Sequence, residues 1–93
     1  MVMKDGIKEI PGEVFESDKY LRYAIIPSTI REIPSSVFKR CSSLKAITIP
    51  SSIIKIGDRA FCKCSSLATV TIPSSVTEIG HEAFPDNCRI IRE

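Results

Sequence analysis

With 93 residues the chain holds one domain at most, and a compact unit of this size keeps only a small margin of stability. Hydrophobic residues make up 43% and charged residues 26%, ordinary values that argue against disorder. The formal net charge of +2 is spread over acids and bases mixed along the sequence, which argues against nucleic acid, whose binders carry a clustered basic footprint.

No apolar run approaches the ~18 residues of a membrane-spanning helix, so no membrane insertion is expected. Met1 to Asp5 shows neither the apolar core nor the cleavage site of a secretory signal. The chain as it stands therefore reads as cytoplasmic, with its four cysteines reduced. A cell-surface location goes with the alternative that it is a fragment of a longer protein.

In chain order, one short alternating segment returns three times: Tyr23-Ala24-Ile25-Ile26-Pro27-Ser28-Thr29, Ala46-Ile47-Thr48-Ile49-Pro50-Ser51-Ser52 and Thr69-Val70-Thr71-Ile72-Pro73-Ser74-Ser75. The prolines at 27, 50 and 73 set a period of 23, the signature of a repeat architecture. Residues 1–93 then form one solenoid with repeats 4–26, 27–49, 50–72 and a shortened 73–93. Aligned, the repeats give columns of one residue type: Ile7, Ile30, Ile53, Val76; Ile10, Ile33, Ile56, Ile79; Val14, Val37, Ala60, Ala83; and Phe15, Phe38, Phe61, Phe84. Leu21, Leu44 and Leu67 form another, followed by Ala24, Ile47, Val70 and by Ile26, Ile49, Ile72. No repeat alone buries its apolar side, so stacking must supply the core, with the phenylalanines as a ladder.

Within a repeat, Ala46 to Ile49 is the predicted strand, with Ile47 and Ile49 inward and Ala46 and Thr48 outward. Pro50 ends it, and Ser51 and Ser52 turn the chain through hydroxyl bonds to local backbone. Ile53 to Ile56 is an extended or loosely turned second side, and the column Pro11, Pro34, Gly57, Gly80 reads as a bend. Gly57 to Phe61 predicts a short helical or 3₁₀ turn with Asp58 as its N-cap. At the start, the period places Met1, Val2 and Met3 on the last half of a strand, an uncapped edge that invites pairing with another chain. At the end, Cys88 is expected in the leucine column and Ile91 in the Ile47/Val70 column, with charged residues closing the strand.

The pattern of Leu44 to Leu67, Leu-x-x-Ile-x-Ile-Pro-Ser-Ser-x-x-x-Ile-Gly-x-x-Ala-Phe-x-x-Cys-Ser-Ser-Leu, resembles the BspA-like leucine-rich repeats. The likeness runs from Ile7 to Ile91; the first repeat departs from it, with Val14-Phe15 for Ala-Phe, Asp18 for cysteine and Tyr20 for serine. The resemblance implies a mostly β, α/β-class right-handed solenoid, with a parallel sheet on its concave face and short helical turns on the convex side. It also implies a binding role, of the kind found in bacterial surface proteins and adhesins.

Candidate chemistry is sparse. Cys41 and Cys64 share a column and stack at about the 4.8 Å strand spacing. Parallel, in-register side chains rarely reach a disulfide dihedral, so a buried thiol ladder is expected. Cys62-x-Cys64 is one residue short of a zinc knuckle and has no second pair, so no metal is expected. His81 falls on a solvent-facing turn with no activated cysteine beside it. The sequence carries no phosphate loop, nucleophile elbow or paired carboxylates, so neither an enzyme nor a cofactor is expected.

The outward strand positions remain: Tyr23, Ile25, Ala46, Thr48, Thr69 and Thr71, then Ile90 and Arg92, flanked by Arg22, Lys45 and Arg89. Tyr23 and Ile25 are the large members, and tyrosine is favoured at binding hot spots; the equal alternative is that Ile25 packs on the neighbouring N-terminal strand or on a second copy as an oligomer contact. The expected function is a non-enzymatic protein-interaction module binding through the concave sheet at Arg22, Tyr23, Ile25, Lys45, Ala46, Thr48, Thr69 and Thr71. The alternative is a self-assembling or fragmentary unit of a larger surface protein, joined through its N-terminal end.

Overall fold

A computed structural model of the chain describes residues 6–10, 12 and 15–93. The expected half-strand of Met1 to Met3, with its open edge, and the column positions Pro11 and Val14 lie outside these residues. The described part contains seven short strands and no helix. They are β1 (Tyr23–Ile25), β2 (Glu32–Ile33), β3 (Ala46–Thr48), β4 (Lys55–Ile56), β5 (Thr69–Ile72), β6 (Glu78–Ile79) and β7 (Arg89–Arg92).

All ladders are parallel. β1 pairs with β3, matching Tyr23 to Ala46 and Ile25 to Thr48, a register of one repeat. β5 pairs with β7. β3 and β5 are in contact but form no ladder, so this first face consists of two strand pairs side by side. The second extended side is itself a sheet, three-stranded in the order β2-β4-β6, with Ile33, Ile56 and Ile79 in register. Its sequence signal was the x-Ile spacing of Arg31-Glu32-Ile33, Ile54-Lys55-Ile56 and Thr77-Glu78-Ile79, where one residue of each strand pair points in and one out.

The third side, through the phenylalanines, corrects the expected helical turns. It is a chain of β-turns, closed by bonds such as Cys62 N–H to the Arg59 carbonyl (3.2 Å) and Cys64 N–H to the Phe61 carbonyl (3.2 Å). Left-handed residues interrupt it two positions before and two after the ring: Ser36 and Arg40 around Phe38, Arg59 and Lys63 around Phe61, all with φ between 56° and 66°. One left-handed residue every fourth position prevents helix propagation. With no helix to cap, Asp58 instead accepts a bond from the His81 N–H of the next coil (2.8 Å). The turn amides also bind the next coil: Ser36, Phe38 and Arg40 donate to the carbonyls of Asp58, Ala60 and Cys62 at 2.7–3.0 Å.

The columns form the core. Ile30, Ile33, Val37, Phe38, Leu44, Ile53, Ile56, Phe61, Leu67 and Ile72 are fully buried, and among the described residues no polar side chain is buried with them. The four rings stack with centroids 5.5, 5.3 and 5.3 Å apart and planes within 7°. Ile49 is buried and Ile47 half-buried against the core.

Two local expectations need correction. Ser52 and Ser75 do not bond to local backbone; their hydroxyls donate to the Ile30 and Ile53 carbonyls of the preceding coil, both at 2.7 Å. The local turn is closed by backbone alone, Ile53 N–H to the Pro50 carbonyl at 3.1 Å, with equivalents at Pro27 and Pro73. At Gly57 the requirement is close approach, since a Cβ there would lie 2.6 Å from the Ser35 nitrogen and 2.8 Å from the Pro34 carbonyl carbon. The same crowding holds at Gly80 against Asp58.

Candidate binding face

Side chains alternate along a strand, so burying Ala24, Val70 and Ile72 turns their neighbours outward. Arg22, Tyr23, Ile25, Lys45, Ala46, Thr48, Thr69 and Thr71 are all exposed. The ladder brings Tyr23 beside Ala46 and Ile25 beside Thr48, and places Thr69 beside Arg89 and Thr71 beside Ile91. Tyr23 is 52% and Ile25 41% exposed, beside the small Ala46 and Thr48 of β3.

The last strand departs from expectation by one residue. Its register matches Val70 to Ile90 and Ile72 to Arg92, so Ile90 takes the inward column and Ile91 points outward. A one-residue slip exchanges the faces of every side chain, and Arg89-Ile90-Ile91-Arg92 has no alternation by which to choose. In the observed register Arg92 remains exposed at the edge of the last coil, and its guanidinium donates to the Val76 carbonyl (2.9 Å). Ile91 thus belongs to the face that the sequence assigned to Ile90 and Arg92. Cys88 packs partly buried against the core.

The other candidates fall elsewhere. Cys41 and Cys64 are buried, each thiol donating at 3.0 Å to a carbonyl of the preceding coil, Phe15 and Phe38 respectively. They form the expected thiol ladder. Contact with the Cys41 thiol, together with burial, pushes the Cys64 thiol far above the usual range. Burial also raises Cys88. His81 is exposed, 3.4 Å from the Glu82 carboxylate. Among the described residues no three His, Cys, Asp or Glu side chains converge as metal ligands, and no helix is long and apolar enough to cross a membrane.

Two hollows lie off this face. One is lined by Cys62, Lys63, Ser65, Glu82 and Phe84, the other by Lys8, Glu9, Thr29, Arg31 and Glu32.

Residues 1–92 match the family model described as BspA type leucine-rich repeat region (6 copies). The chain belongs to this leucine-rich-repeat family. The fold agrees: the crystal structure of the leucine-rich-repeat protein TpLRR of T. pallidum superposes with a TM-score of 0.84 at 26% identity. That alignment covers 100% of this chain and 51% of the T. pallidum chain, so the chain spans about half the length of that relative. The search of curated proteins gave no match. Leucine-rich repeats of this kind are generally protein-interaction modules and not enzymes.

Proposed function

We propose that this chain binds a protein partner through the outward face of β1, β3, β5 and β7, with Tyr23 and Ile25 as its anchors. The observation that carries this reading is their joint exposure in register on a parallel ladder beside Ala46 and Thr48. Extended faces of stacked repeats are suited to macromolecular binding, and a tyrosine beside an aliphatic side chain supplies desolvated contact area at low entropic cost. Arg22, Lys45, Thr69 and Thr71 form the polar surround. Affinity capture from cells, with bound proteins identified by mass spectrometry, tests it. Tyr23→Ser with Ile25→Ser should remove the specific partners while far-ultraviolet circular dichroism stays unchanged; undiminished capture refutes this placement.

A second reading is self-association, supported by Ile79 and Ile90, which sit in inward columns yet are 40% and 44% exposed. Sedimentation equilibrium over a wide concentration range decides it, a strict monomer counting against association.

A further inference from the structure

The ion pairs of the described residues sit away from the binding face. Glu16 pairs with Lys39 (3.8 Å), Lys55 with Glu78 (3.9 Å) and Arg59 with Glu82 (3.5 Å), each between neighbouring coils and each on the second sheet or the phenylalanine side. The cations at the edge of the binding face are different. Arg22 and Lys45 stand on adjacent coils at the entrance to β1 and β3, joined by the bond from Lys45 N–H to the Arg22 carbonyl (2.8 Å). Arg89 opens β7 beside Thr69. In the turns leading to these strands, Arg40 and Lys63 occupy the left-handed position of successive coils. All five are exposed and none has an ion-pair partner among the described residues.

The acids along this edge are few. The Asp18 carboxylate is engaged by the N–H groups of Tyr20 (3.0 Å) and Leu21 (3.2 Å), and Asp86 is exposed in the last coil. A small overall charge of +2 thus conceals an uneven one: Arg22, Arg40, Lys45, Lys63 and Arg89 face only Asp18 and Asp86 on this side, whereas on the second sheet Glu32 and Glu78 offset Arg31 and Lys55. Such an excess steers and orients a partner of opposite sign.

We propose that the face takes an acidic polypeptide segment, its carboxylates against Arg22 and Lys45 at the edge and Arg89 on the face, and an apolar side chain against Tyr23 and Ile25, a partner class that presupposes the binding face described above. A polypeptide fits better than a nucleic acid. Single-strand binders stack successive bases on successive aromatic rings, whereas the positions equivalent to Tyr23 are Ala46 and Thr69.

The test uses the intact chain and fluorescence anisotropy with labelled poly(Glu,Tyr), poly(Lys,Tyr), and single-stranded and duplex oligonucleotides. Poly(Glu,Tyr) should bind, weakening with salt, and poly(Lys,Tyr) should not. Reversal in the triple variant R22E/K45E/R89E should weaken binding at least about tenfold. The same charge change on the other faces, R31E/K55E/R59E, should leave it within about twofold. Equal loss in both triples, no binding of poly(Glu,Tyr), or tighter binding of an oligonucleotide overturns the proposal. If Tyr23→Ser with Ile25→Ser abolishes binding and R22E/K45E/R89E does not, the face stands and the acidic partner falls. The converse keeps the acidic partner and removes the apolar anchors, and loss in neither variant removes both.

Discussion

Phe61→Ala probes the contact that holds the coils together. The ring is fully buried and stacked at 5.3 Å on both Phe38 and Phe84. Burying roughly 150–250 Å² of ring at about 25 cal/mol per Å² stabilises by roughly 4–6 kcal/mol as an upper bound. Alanine keeps part of that area but leaves a cavity between two rigid rings, so a loss of about 3–5 kcal/mol is expected. A chain of this length has a total stability of roughly 5–14 kcal/mol, so the loss takes about a fifth of it or more. Phe84 has a ring neighbour on one side and is only partly buried, so Phe84→Ala should cost clearly less, about 1–3 kcal/mol. Urea unfolding followed by circular dichroism gives both values from the shift in midpoint at constant slope. If Phe84→Ala proves as costly as Phe61→Ala, or if Phe61→Ala costs under about 1 kcal/mol, the ring column is not the cohesive element argued here.

Two further outcomes follow from the coil contacts. Gly57→Ala should destabilise by about 1–3 kcal/mol, because its methyl would press on the Ser35 and Pro34 backbone; an unchanged urea midpoint refutes the crowding. Alkylation at mildly alkaline pH, read by peptide mass spectrometry, should modify partly exposed Cys62 well before Cys41 and Cys64. Cys64 is protected twice, by burial and by a pKa raised so that its reactive thiolate is scarce; its labelling at the rate of Cys62 in the folded chain would contradict the thiol ladder.

The 23-residue period determined most of the architecture. Because each coil meets a near copy of itself, a residue's column is its environment, and Phe38, Leu44, Ile56 and Cys64 could be placed in the core from spacing alone. Alternation likewise turned Tyr23, Ile25, Ala46 and Thr48 outward as expected.

What the period does not carry is the direction of a polar group or the choice between local and inter-coil partners. Ser52, Asp58 and Gly57 have turn chemistry that reads equally well as a local bond, a helix cap or a bend. Only the approach of the neighbouring coil assigns them to Ile30, His81 and Ser35. The phenylalanine side read as helical because left-handed conformations at Ser36, Arg40, Arg59 and Lys63 leave no mark in residue type where glycine is not used. The last strand shows the same limit: where the repeat shortens and alternation lapses, register depends on pairing energies across the coil. Tertiary structure, not sequence, moved Ile91 outward and Ile90 inward. The ion pairs also emerged only in three dimensions, since Glu16 and Lys39, Lys55 and Glu78, and Arg59 and Glu82 lie one period apart in sequence and become neighbours when the coils stack.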